Sequence, residues 1–161
     1  MGSTGKKLTH LDADGRTRMV DVGDKEVTQR RARASGEIRM RPETLQAVAD
    51  DQIAKGNVLE AARLAGIMAA KRTGELIPLC HPLALDFVDL TFVLGADRIA
   101  VEAEARVDAR TGVEMEAMTA ATVALLTIYD MCKAMDRGMV IGEVSLVEKT
   151  GGRSGHYKRQ E

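Results

Sequence analysis

Residues 99–136 read IAVEAEARVDARTGVEMEAMTAATVALLTIYDMCKAMD, and partway along this stretch the spacing of apolar side chains changes. Ile99, Val101, Ala103, Ala105 and Val107 alternate with Glu102, Glu104, Arg106 and Asp108, the period of two that marks a half-buried strand. Thr111 and Glu114 then stand at capping-box spacing, and a long helix is expected from there to about Asp136, with Gly138 as its stop. Upstream, a strand from about Asp86 to Leu94 and a turn at Gly95-Ala96-Asp97 make a hairpin with the alternating strand. Met139 to Val147 supplies a final strand.

Farther toward the N-terminus the pattern is helical again. Glu37 to Arg41 reads as a short strand, and Pro42 suits the first helical position, where its missing N–H does no harm. Leu45, Val48, Ala49 and Ile53 follow at helical spacing until Gly56. Asn57, with Glu60 three residues on, caps a second helix running to about Thr73 before Gly74. Its AARLAGIMAA stretch (Ala61 to Ala70) is apolar nearly all round, which in so small a domain points to a subunit interface. Strand, split helix, two strands, helix, strand is the ferredoxin-like βαββαβ arrangement. The expected fold is therefore α+β, a four-stranded antiparallel sheet with helices on one face.

The 161 residues suit one domain with tails, expected as a basic, partly mobile arm over 1–35, a catalytic domain over 36–148 and a flexible basic tail over 149–161. Residues 1–41 carry ten Lys/Arg against six Asp/Glu, while the whole chain has a net charge of −1, so a basic arm sits on a mildly acidic body. Its densest piece, Arg30-Arg31-Ala32-Arg33, is either a phosphate contact or a solvated charged face. With two Phe, two Tyr and no Trp, platforms for stacking bases are nearly absent, which argues against a nucleic-acid partner. No apolar run approaches membrane-spanning length, so no membrane partner is expected. The N-terminus shows no secretory signal, making the cytoplasm the expected compartment and Cys80 and Cys132 reduced thiols.

Several residues could carry chemistry. Asp130 and Lys133 are three apart on one helix face inside TIYDMCKAM, where a carboxylate and an amine can exchange protons near neutral pH; an ordinary helix-stabilising ion pair has the same spacing. LIPLCHPL (Leu76 to Leu83) has two prolines that forbid regular structure, so an ordered irregular segment carries Cys80 and aims His81. Glu114 and Glu116 can bind a substrate amine or simply complement a helix dipole. Lys55, Lys71, Arg72 and the glycine-rich Lys149 to Gly155 segment can hold phosphates, although no Walker or dinucleotide fingerprint is present. Cys80, His81 and Cys132 lack zinc-site spacing, so no metal ligand is assigned.

MVDVGDK (Met19 to Lys25), AAKRTGELIPLCHPL (Ala69 to Leu83), RTGVEMEAMTAATVALLTIYDMCKAMD (Arg110 to Asp136) and KTGGRSG (Lys149 to Gly155) together resemble the MoaC family of molybdenum cofactor biosynthesis. The resemblance implies a lyase that takes the cyclised dihydro-GTP made by the upstream radical enzyme MoaA, rearranges it to cyclic pyranopterin monophosphate and releases pyrophosphate. It implies that Asp130 and Lys133 are the catalytic pair, and that Leu79, Cys80, His81, Met115, Glu116 and Glu114 contact substrate. Lys55, Lys71, Arg30 and Lys149 would be the cations of the pocket. It implies no redox cofactor, while a divalent ion such as Mg can accompany the triphosphate. It also implies a hexamer built as a trimer of dimers.

Helix geometry adds one constraint. Glu116 and Asp130 are fourteen residues apart, nearly four whole turns, so they point the same way yet lie about 21 Å apart along the axis. One small substrate cannot touch both on one subunit, so a site using both is expected at a dimer interface. Competing expectations are a non-catalytic partner of the radical enzyme, a ferredoxin-like nucleic-acid-binding module using the basic arm, and a zinc hydrolase.

Overall fold

The computed structural model describes residues 11, 12 and 14–160; the start of the expected arm, residues 1–10, lies outside them. The elements are β1 (Thr28–Arg39), α1 (Pro42–Ala49), α2 (Val58–Lys71), α3 (Thr73–Leu76), β2 (Phe87–Leu94), β3 (Arg98–Ala109), α4 (Glu114–Cys132), β4 (Val140–Thr150) and β5 (Tyr157–Lys158). The sheet is antiparallel with the order β2-β3-β1-β4-β5, five strands rather than the expected four. The extra strand is Tyr157–Lys158, placed opposite Lys149 and Glu148, where a flexible tail had been expected. A two-residue strand leaves no period in the sequence to read.

The larger correction concerns β1, which starts nine residues before the short strand expected at Glu37 and takes up the basic run. Arg30, Ala32, Ala34, Gly36 and Ile38 are buried, while Arg31, Arg33, Ser35 and Glu37 face the open side. Register explains why arginines are tolerated at the centre of a sheet. Arg31 lies opposite Arg106 and reaches Glu104 at 2.6 Å, Arg33 lies between Glu102 at 2.8 Å and Glu148 at 3.1 Å, and Arg98 meets Glu37 at 3.0 Å. Cross-strand opposite charges of this kind replace the apolar alternation that a strand normally shows. Arg31 and Arg33 are therefore neutralised by neighbouring strands and are not a free basic surface.

The helices cover the other face. α4 crosses β1, β3 and β4, and α2 packs along α4 and over β2. Ala117, Ala120, Ala121 and Ala124 are fully buried, and small side chains there let α2 approach closely at Gly66. Leu125, Ile128 and Cys132 continue the buried stripe. Burying a side chain such as Ile128 contributes about 2–3 kcal/mol. Asn57 caps α2 as its sequence suggests, its side-chain oxygen accepting from Glu60 N at 2.9 Å. At α4 the expected capping box does not form: Val113 is the N-cap and no side chain caps it. That helix also ends at Cys132, four residues earlier than expected, because residues 133–138 fold into a turn. No helix among the described residues is long and apolar enough to cross a membrane.

Candidate functional site

The irregular LIPLCHPL segment follows α3 and packs against it at one glycine. A side chain at Gly74 would meet Pro82 Cα at 3.1 Å and His81 O at 3.3 Å, so the segment lies flush on α3. His81 is held from the other side: its Nε2 lies 2.8 Å from Val20 O. A carbonyl only accepts, so Nε2 carries the proton and Nδ1 of the neutral ring is left as an acceptor.

His81, Cys80 and Leu79 form one wall of a cavity of about 330 Å³, and Met115 and Glu116, from the first turn of α4, form the opposite wall. Glu116 is only 4% exposed. Burial, with the charge of Glu114 adding to it, pushes its carboxyl up to about 7, so near neutral pH it can give or take a proton. Burial likewise raises Cys80, helped by Glu116, which keeps the thiol protonated and unfit as a nucleophile.

A second cavity, of about 590 Å³, adjoins the first and shares Lys25, Thr111, Gly112 and Glu114 with it. On its walls Lys25, Arg30, Arg31, Arg110, Lys149 and Arg153 outnumber Asp24, Glu26 and Glu114, so it is basic on balance. Arg30 is 8% exposed, donates from Nε to Ala109 O at 3.3 Å, and has no carboxylate partner among the described residues. Its guanidinium lies against Gly152 and its Cδ against Gly151, whose φ values of 76° and 93° belong to the left-handed region and whose missing Cβ atoms make the room. Lys149 donates to Ser154 across the same turn. A buried cation without a counter-ion, beside backbone amides at a glycine turn, suits an anionic group.

The remaining candidates stand at the far end of α4. Lys133 Nζ donates to Asp130 Oδ1 at 2.6 Å, and Lys55 Nζ donates to Asp130 Oδ2 at 2.8 Å and to its carbonyl at 2.9 Å. The bonds from Lys133 and Lys55 hold the Asp130 carboxyl down to about 2. The trio is open, with the Asp130 side chain 55% exposed.

The structure thus gathers Arg30, Leu79, Cys80, His81, Glu114, Met115, Glu116 and Lys149 around one double cavity. It places Lys55, Asp130 and Lys133 apart from them, and leaves Lys71 exposed at the end of α2, lining neither cavity. Lys25 and Arg110 were not singled out from the sequence; they lie within the quoted motifs, but nothing in their spacing marks them. Among the described residues no three His, Cys, Asp or Glu side chains come together to hold a metal.

An antiparallel sheet layered with helices, carrying a protonatable cavity that opens beside a basic one, defines an α+β protein built to act on a small anionic molecule. The chain belongs to the MoaC family, whose model matches residues 19–152. It is 61% identical over 156 residues to the cyclic pyranopterin monophosphate synthase of Heliobacterium modesticaldum, covering 96% of this chain and 98% of that one. It is 60% identical over 155 residues to cyclic pyranopterin monophosphate synthase 3 of Mycobacterium tuberculosis (96% and 88%), and 59% identical to the synthase of Parvibaculum lavamentivorans (95% and 97%).

Proposed function

We infer that this chain catalyses the reaction for which its relatives are named, a lyase step of molybdenum cofactor biosynthesis. Its substrate is (8S)-3',8-cyclo-7,8-dihydroguanosine 5'-triphosphate, and its products are cyclic pyranopterin monophosphate and pyrophosphate. The observation that carries the reading is the double cavity, in which Glu116 can move a proton near neutral pH a short way from the uncompensated charge of Arg30.

In this reading the base-derived ring lies in the smaller cavity and the triphosphate in the basic one. Glu116 and the free Nδ1 of His81 handle protons as the ring opens and recloses, while Leu79, Cys80 and Met115 exclude water around it. Arg30 and Lys149, joined by Arg110 and Arg153, stabilise the charge that builds on the departing pyrophosphate. A divalent ion such as Mg can travel with the triphosphate. Asp130, held ionised by two ammonium groups, is a fixed anion that orients Lys133, and Lys133 is the acid of the pair. Lys55 shares that anion, and Lys71 serves as a more distant cation.

The separation along α4 supports a site completed by a second copy, which brings its own Lys55, Asp130 and Lys133 to the cavity of the first; a dimer within a hexamer of three dimers fits this. The neighbouring steps are then the radical enzyme MoaA before it and cofactor assembly after it, in the cytoplasm. The order β2-β3-β1-β4 supports the ferredoxin-like assignment, with β5 as an addition. The test is to supply the cyclised dihydro-GTP and measure pyrophosphate together with a fluorescent pterin after oxidation. Turnover of neither in folded protein would overturn the assignment.

A further inference from the structure

Lys133 is the residue on which the helix ends, and its side chain, 48% exposed, is not gripped by packing. Its place is set by the backbone beneath it. That backbone enters a turn in which Met135 N and Asp136 N both donate to Cys132 O, at 2.9 and 3.1 Å. Each of the next residues is then tied down separately. Tyr129 Oη donates to Arg137 O at 3.2 Å, and the Arg41 guanidinium donates to Met135 O.

Asp136 is the hub of these ties. It is 5% exposed; its Oδ2 accepts from Arg41 N at 2.9 Å, its Oδ1 accepts from Gly138 N at 3.0 Å, and Arg41 Nε stands 3.5 Å away. Arg41 is the N-cap of α1, two residues past the end of the central strand, so the end of that strand is bonded to the turn that carries Lys133. Two oxygens each receive a backbone N–H, and only a carboxylate supplies both; an amide would turn an NH₂ toward one of them.

We propose that Asp136 is a positioning residue for Lys133, fixing through Arg41 the turn from which the Lys133 ammonium reaches Asp130. The role rests on the reading of Lys133 as an acid–base group. Arg41, by gripping Met135 O and Asp136 together, is the second member of the device.

The experiment uses the full chain carrying Asp136→Asn, Arg41→Ala or Lys133→Ala, with the cyclised dihydro-GTP as substrate. For folded Asp136→Asn, kcat is expected to fall about ten- to a hundredfold, the cost of a small misplacement of a reacting group, with KM within about twofold. Arg41→Ala keeps both backbone N–H donors to Asp136, so its loss runs the same way and is smaller; it serves if Asp136→Asn does not fold. The second readout needs no turnover. Acetic anhydride labelling mapped by mass spectrometry is expected to speed up at Lys133 in either variant relative to Lys158, which lies on β5. Full kcat in folded Asp136→Asn, or labelling that rises equally at Lys133 and Lys158, would overturn the proposal. If Lys133→Ala itself keeps kcat, the acid–base reading fails at that residue, and the labelling still decides whether Asp136 positions it.

Discussion

The Lys133 ammonium stands 2.6 Å from the Asp130 carboxylate, across one turn at the end of α4, and it shares that carboxylate with Lys55. Two cations on one exposed anion keep the anion ionised, so its charge adds to the fold above the ordinary carboxylate range and is lost only as the pH falls toward about 2. In Lys133→Ala, the carboxyl carbon of Asp130 followed by NMR is expected to titrate at a higher midpoint, closer to the ordinary value of about 3.9. An unmoved midpoint would show that the bond does not persist in solution.

Glu116 behaves in the opposite sense. Its carboxyl is raised in the folded chain, so the folded state holds the proton more tightly than the unfolded one, and stability falls as the pH rises from about 4.5 to about 7. The whole effect is on the order of 3 kcal/mol. Glu116→Gln removes the titrating group, so its melting temperature should change less over that interval than that of the parent. A kcat that is lost together with this slope would tie proton handling to the same group.

Gly66 provides a test of packing. Alanine is the better helix former by about 1 kcal/mol, yet its Cβ would lie 2.9 Å from Ala120 O and 2.6 Å from Leu90 Cδ2. The backbone oxygen belongs to α4 and cannot yield without moving that helix, and overpacking of this kind costs about 1–3 kcal/mol. Less the helix gain, the loss is about 0–2 kcal/mol, so Gly66→Ala should melt lower by up to about 8 °C, as followed by circular dichroism.

Gly152 lines the basic cavity proposed to hold the phosphates. An alanine there would adopt the left-handed region at a cost of about 1–2 kcal/mol and would push its Cβ into the Arg30 guanidinium. Pyrophosphate binding measured by calorimetry should weaken at least about tenfold, as expected for loss of a charged hydrogen bond. Unchanged affinity would remove Arg30 from the anion site.

The division of the candidates along α4 is tested by mixing. Glu116→Ala and Asp130→Ala chains, each inactive alone, should regain part of the activity after subunits exchange, because some sites then combine an intact Glu116 from one chain with an intact Asp130 from another. No recovery in a mixture shown by native mass spectrometry to contain mixed oligomers would argue that each chain works alone.

Much of this was legible in the residues. The change of period near Ala109 gave β3 and α4, the Asn57 cap gave α2, and two prolines marked the irregular segment that holds His81. The first strand was hidden because its outward positions are arginines and small residues, whose stability in a sheet depends on Glu102, Glu104 and Glu148 far away in the chain. For the same reason the charge pattern alone leaves Arg30 as either a phosphate contact or a solvated face, and only the resemblance places it in the pocket, since local charge says nothing about burial. The helix terminus at Cys132 was missed because the signals that stop it, Asp136 and Arg41, are brought together by folding.

The central strand has one more consequence. β1 leaves the ribosome early, but its partners lie in β3 and β4, so during synthesis it must wait for most of the chain before either edge is satisfied. An uncharged strand in that interval would be a template for pairing with other nascent chains. Arg31 and Arg33 repel such neighbours until Glu102, Glu104 and Glu148 of the later strands arrive, so the same side chains that lock the finished sheet also act as gatekeepers against aggregation while it is being made.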